Sequence, residues 1–259
     1  VNSNVKALLG MPEFWILCYE SIKSNPGVHS LGGSALIDTN EPITLDGINL
    51  EYFQKLSTSI LRGSFKFGPI RKVDIPKPQG GTRPLGIADS RDKIVQKGMA
   101  VVLETLSEHR FLDCSFGFRR GLSCHDAMAY ISKKVPSGLW AIEGDISKCF
   151  DHFDHKRIVS IIRKKYLSQQ VFLDLLYKAL KIRVVSLDSS FIQKIGTPQG
   201  SVVSPILCNI YLHELDIYIQ KSAILAKFRQ KKAVTRNSRF ISLLKPTSED
   251  NKEAEIIIK

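Results

Sequence analysis

The sequence predicts a mixed α+β fold. Three observations carry that reading: helix-period apolar stripes over Leu50–Arg62 and Ser168–Leu180, a Gly-bearing turn between two β-prone runs across Phe67–Ile87, and a short apolar run, Leu139–Ile142, that leads to Asp145. A chain of 259 residues suffices for one large domain or two modest ones. Apolar residues make up 43% and charged residues 24%, which excludes a disordered chain. No apolar run approaches the roughly 20 residues that span a bilayer, so no membrane partner is expected.

In chain order, Val5–Lys23 carries apolar positions for short helices broken near Gly10-Met11-Pro12. Ser24–Asn49 is rich in Gly, Ser, Pro and Asn and reads as a long connection, with Thr44-Leu45-Asp46-Gly47 turning into the Leu50–Arg62 helix. Val73, Ile75, Leu85 and Ile87 flank Pro78-Gln79-Gly80-Gly81-Thr82 as a hairpin with a Gly-rich tip. A helix follows over Asp89–His109, with Asp89 or Ser90 as its cap, and another over Ser123–Lys133. After Asp145, helices are predicted over His155–Lys164 and Ser168–Leu180, then a strand pair, Ile182–Leu187 and Phe191–Ile195. Ser204-Pro205 opens a last helix.

Charge narrows the partner. Lys and Arg outnumber Asp and Glu by 37 to 25, a surplus of +12 that favours a polyanion, with nucleic acid as the first candidate. The hairpin bears Arg71, Lys72, Lys77 and Arg83, so it can approach phosphates or can simply be a solvated basic hairpin. The loop Cys114–Gly121 pairs Arg119 with Arg120; its aromatics read as packing, and its arginines can touch a nucleic-acid backbone. Lys221–Lys245 holds eight cations and no acid, densest at Lys227, Arg229, Lys231 and Lys232, a tail that either floats or binds an anion. Five scattered cysteines without a CxxC pair point to a reducing compartment and no structural zinc.

Leu139-Trp140-Ala141-Ile142 reads as a buried strand delivering Asp145 into a cleft, where a carboxylate can hold a metal. Equally, Asp145 can cap the helix that follows. The local sequence leaves both open.

The order of four separated motifs goes further. Lys77-Pro78-Gln79-Gly80-Gly81-Thr82-Arg83-Pro84-Leu85-Gly86-Ile87, Ser115-Phe116-Gly117-Phe118-Arg119, Gly144-Asp145-Ile146-Ser147-Lys148-Cys149-Phe150-Asp151 and Gly196-Thr197-Pro198-Gln199-Gly200-Ser201 resemble the reverse transcriptases encoded by group II introns, the intron maturases. The resemblance covers roughly Lys23–Gln220. It implies a right-hand polymerase fold, with an N-terminal extension and fingers over 1–138, a partial palm over 139–220, and a basic linker with the start of a further palm element over 221–259. It also implies that Asp145 and the carbonyl of Ile146 bind catalytic magnesium, that Phe150 is a steric gate against a 2′-hydroxyl, that Lys77 and Arg83 hold the incoming triphosphate, and that Gln199 and Gly200 lie against nucleotide and template.

The departures are as informative. The family's second acidic motif, Tyr-Ala-Asp-Asp, occurs nowhere in these residues, and its Pro-Gly-Val-Asp-Gly element is replaced around Leu31-Gly32-Gly33-Ser34. One palm carboxylate cannot hold two magnesium ions, so the chain alone is expected to bind RNA without extending a primer. Three readings stay open: half of a split enzyme completed by a second polypeptide with the rest of the palm and thumb, a retired polymerase serving as an RNA-binding component of an organellar ribonucleoprotein such as the mitochondrial ribosome, and part of a longer active protein. The RNA is an intron or ribosomal RNA accordingly. A mitochondrial location is expected, with the bacterial cytoplasm as alternative.

Overall fold

The structure, a computed structural model, describes residues 4–37, 43–78, 80–134, 144–187 and 189–233, with side chains described through residue 222. The strand expected over Leu139–Ile142 lies outside the described residues. Contacts divide the chain into two compact units, Val1–Arg110 with Cys149–Tyr211, and Phe111–Lys148 with Leu212–Lys259.

In the first unit, α1 (Val5–Leu9) and α2 (Pro12–Ile22) break where Gly10-Met11-Pro12 predicts. Pro12 sits in the first turn of α2, where its missing N–H has no partner to lose. Phe14, Trp15, Cys18 and Ile22 form the buried face of α2, and the Trp15 indole donates to the Leu9 carbonyl at 2.9 Å. That face packs on α4 (Leu50–Leu61) and α5 (Ser90–Ser107). Gly98 of α5 makes the approach possible, since a Cβ there would collide with the Trp15 ring. Asn49 caps α4, its side chain accepting from the Tyr52 N–H at 2.9 Å. Helices α8 (His155–Lys165) and α9 (Gln170–Leu180) pack on one another, and Ile158, Ile161 and Ile162 of the first and Phe172 and Leu176 of the second are buried.

The two predicted strand pairs form a single sheet. Strands β1 (Ile70–Pro76) and β2 (Thr82–Ile87) make the basic hairpin, and β3 (Arg183–Val185) and β4 (Ser190–Ile192) the second. The order is β2-β1-β3-β4: the hairpins are antiparallel, and β1 joins β3 in parallel through Ile70↔Val184 and Arg71↔Val185. A parallel partner needs a long crossover, and here the chain between β2 and β3 supplies it. Ile70, Ala88, Ile182 and Val184 form the apolar cluster under the junction, with Phe67 against it.

Asp89 stands at the expected cap position of α5, yet its side chain does not cap the helix. Its carboxylate accepts from the Ser34 N–H at 3.3 Å and from the Ser34 hydroxyl. Ser34 opens α3 (Ser34–Ile37), so the long connection is tied down where the sequence departs from the resembled family. Gly32 and Gly33 permit this, because a Cβ at either would overlap Asp89 or Pro69. Beside them the Lys93 ammonium donates to the carbonyls of Gly27, Val28 and Ser30 at 2.9–3.2 Å. Asp92 accepts from the Gly68 N–H at 2.7 Å, and burial, reinforced by nearby Asp89, pushes its carboxyl up to about 8.

In the second unit, Ser123 and Asp126 close a reciprocal cap ahead of α6 (Cys124–Lys134): the Ser123 N–H donates to the Asp126 carboxylate at 2.8 Å, and the Asp126 N–H donates to the Ser123 hydroxyl at 3.3 Å. Phe116 packs on Tyr130 with centroids 5.5 Å apart, in line with the packing role expected of the loop aromatics, whereas Phe118 is exposed. Helix α10 (Ser204–Ala233) continues into the basic stretch: backbone from Lys221 to Ala233, including Lys227, Arg229, Lys231 and Lys232, is helical.

Candidate functional site

The Gly196–Ser204 loop is the meeting point of the first unit. At one side it holds α7 (Cys149–His152), the short helix bearing Phe150: the Thr197 N–H donates to the Phe150 carbonyl at 2.7 Å, and the Gly196 N–H to the Phe153 carbonyl at 2.8 Å. Gly196 has φ 67°, and a Cβ there would overlap the Asp151 backbone, so glycine is required twice over. The buried His155 imidazole donates from Nε2 to the Gly196 carbonyl at 2.6 Å.

At its other side the same loop lies along β2. The Gly86 N–H donates to the Gln199 carbonyl at 2.6 Å. A Cβ at Gly86 would sit 2.8 Å from Pro198 Cβ, and one at Gly200, where φ is 103°, would sit 2.7 Å from Leu85 Cδ1. The loop thereby covers the outer edge of the sheet's terminal strand. From below, Gln96 of α5 accepts at Oε1 from the Ser201 hydroxyl at 3.2 Å and from the Val202 N–H at 3.1 Å. Thr197 and Ser204 share a buried hydroxyl contact of 2.7 Å.

One multiply hydrogen-bonded loop thus brings together three of the features singled out in the sequence. Phe150 is half-buried, and its neighbour Asp151 accepts from the Gln199 amide at 3.4 Å. Gly200 is exposed beside Leu85. Arg83 issues from the same face of β2 as Leu85, since side chains alternate along a strand. Lys77 and Arg83 line a shallow cleft with Pro76 and Pro78. Two exposed cations at a hairpin tip can neutralise a phosphate chain.

The remaining sequence candidates fare differently. Arg71 is partly buried on β1, and Lys72 pairs with Asp74 at 3.8 Å. The Arg119 guanidinium turns inward, donating to the carbonyls of Leu112 and Ser115 at 3.3 and 2.6 Å and lying over the Phe111 ring. Arg120 is exposed. Asp145 and Ile146, in the second unit, are exposed. Helix α7 begins at Cys149, so its cap position belongs to Lys148, which takes a left-handed φ of 51°. Asp145 is therefore not the helix cap. Among the described residues no three His, Cys, Asp or Glu side chains gather as a metal site would require, so no chemical step is assigned to a bound ion.

Gln96 and His155 escaped the sequence reading, and Gly86 and Gly196 entered it only as motif members without a role of their own. Gln96 carried the clearest signal, a polar residue on a helix flank otherwise filled by Ile94, Val95 and Met99.

Comparison with known proteins accounts for this arrangement. Residues 75–237 match the family described as reverse transcriptase (RNA-dependent DNA polymerase). The chain is 39% identical over 221 residues to a putative COX1/OXI3 intron 2 protein of Saccharomyces cerevisiae, covering 85% of this chain and 25% of that protein. It is 35% identical over 209 residues to the group II intron-encoded protein LtrA of Lactococcus lactis subsp. cremoris, covering 80% of this chain and 34% of that one. The chain spans about a quarter to a third of the length of these relatives. In fold it is similar to a chain of a partial Cas6-RT-Cas1–Cas2 complex, with a TM-score of 0.51 at 18% identity over 84% of this chain and 35% of that one. Motifs, fold and relatives converge: the chain belongs to the reverse transcriptase family and is homologous to the reverse transcriptase region of group II intron-encoded proteins.

Proposed function

We propose that this chain supplies the RNA- and nucleotide-binding part of a group II intron-type reverse transcriptase or maturase, acting in intron splicing or RNA-templated DNA synthesis. The single observation that carries the reading is the Gly196–Ser204 loop, whose bonds to Phe150 and Gly86 hold a ring, a Gln-Gly turn and the Lys77/Arg83 hairpin in one frame. Such a frame suits a nucleoside triphosphate: cations for its phosphates, a ring beside its sugar, and a turn under its base. Relatives named as mitochondrial, from Marchantia polymorpha and Arabidopsis thaliana, support a mitochondrial setting, while the Lactococcus relative supports a bacterial one.

Polymerisation needs magnesium held by more carboxylates than Asp145 alone. In this proposal a Tyr-Ala-Asp-Asp segment, on the same or a second polypeptide with the rest of the palm and thumb, completes the site. The 259-residue chain is expected to bind structured RNA with strong salt dependence and to leave a primer unextended. Filter binding across a salt series and a templated extension assay check both halves. Robust DNA synthesis by the chain alone would overturn the division of labour, and RNA binding insensitive to salt would overturn the proposed interface.

A further inference from the structure

Five scattered cysteines give no sequence signal of pairing, yet the fold brings two of them together. Cys149 opens α7, and Cys208 lies in the second turn of α10, 59 residues further on. Their sulfurs are 3.4 Å apart. Neither position is incidental. Thr197 donates its N–H to the Phe150 carbonyl and shares a hydroxyl contact with Ser204, so a single residue fastens the start of α7 to the start of α10. Cys149 is half-buried and reachable, whereas Cys208 is 7% exposed. Among the described residues no further His, Cys, Asp or Glu joins them to make a group of three, which argues against a closed metal site.

We propose that Cys149 and Cys208 form a dithiol modification site, which small-molecule disulfides such as glutathione disulfide convert to an intramolecular disulfide beside Phe150. The Cys149 thiolate attacks one sulfur of the oxidant; that S–S bond breaks, and one glutathione leaves as a thiolate and takes up a proton. Cys208, on losing its own proton, attacks the Cys149 sulfur of the mixed disulfide and expels the second glutathione. Two protein thiols are oxidised and one disulfide is reduced to two thiols. Burial, with the hydrogen bond and charge of Cys149 added, pushes the Cys208 thiol up, which assigns the first attack to Cys149 and the resolving role to Cys208. A disulfide requires the sulfurs at about 2.05 Å, so closure draws the first turn of α7 toward α10 and moves Phe150 with it. That last consequence for nucleotide selection rests on the proposed function; the thiol chemistry does not.

The test equilibrates the purified chain in glutathione buffers from reduced to oxidised, quenches by alkylation under denaturing conditions and maps the cysteines by peptide mass spectrometry. The exposed Cys114 and Cys124 serve as internal references. The expected result is a Cys149–Cys208 linked peptide lighter by two hydrogens in the oxidised buffers, with Cys114 and Cys124 carrying glutathione. Cys208→Ser should leave Cys149 as a persistent glutathione adduct, for want of a resolving thiol. If wild-type Cys149 and Cys208 are both alkylated while Cys114 and Cys124 are oxidised, or if Cys149 stays a stable adduct in the wild type, the proposal is wrong. Formation of the disulfide with no change in deoxynucleotide binding would leave the dithiol site standing and count against Phe150 as the gate.

Discussion

Asp92 is the buried acid whose ionisation opposes the fold most directly. Its carboxyl is pushed up to about 8, first by burial and then by Asp89, against the Gly68 N–H and Lys93 that favour the charged form. A folded-state value above the ordinary carboxylate range means that the protonated acid is preferred by the native state. Its stabilising contribution is full below about pH 4 and is lost as pH rises toward 8, on the order of 1 kcal/mol per pH unit. Asp92→Asn keeps an oxygen for the Gly68 N–H and removes the charge. Its melting temperature relative to wild type is expected to climb between pH 5 and pH 8; a difference constant with pH would show that Asp92 is already relieved in the native protein.

Loops and strands show where local sequence suffices and where it does not. The α4 helix, the β1–β2 turn and the α1–α2 break follow from Asn49, from Gly80-Gly81 and from Gly10-Met11-Pro12, signals confined to a few residues. The β1–β3 pairing and the seating of Gln199 on Gly86 were not legible, because each depends on a partner distant in the chain that no periodicity names. The same holds for the site: Phe150, Gln199 and Arg83 were recognisable as motif members, whereas Gln96 and His155, which hold the loop in place, were not. Two glycines separate a merely left-handed turn from a close approach. Gly47 and Gly196 have φ of 70° and 67°, but only Gly196 has backbone where a Cβ would go. Gly47→Ala is expected to cost roughly 1 kcal/mol from backbone strain. Gly196→Ala should cost at least about 2 kcal/mol more, as α7 and the loop are forced apart. Urea midpoints of the two variants decide this; equal losses would mean that the loop yields freely.

The surplus of +12 is a property of the full chain, and its densest block falls on α10. That block lies on helical backbone, which sets the spacing of its residues along the chain. Replacing Lys227, Arg229, Lys231 and Lys232 with Ala should weaken RNA binding at every sequence alike and flatten the log–log salt slope by about 3, if each cation displaces one counterion. An unchanged slope would assign the salt dependence to the hairpin instead. Among the described residues no helix is long and apolar enough to cross a membrane.

The parallel β1–β3 pairing also dictates a timetable. The basic hairpin is local and can form within microseconds of its synthesis. Ile70 finds Val184, however, only after more than a hundred further residues have left the ribosome. Until then the inner edge of β1 stays unsatisfied, and the loop that will cover the outer edge of β2 does not yet exist. High contact order of this kind slows folding and leaves strand edges open to the wrong neighbours. During its synthesis the nascent chain therefore carries a basic, open-edged hairpin until β3 and the Gly196–Ser204 loop arrive to close the sheet.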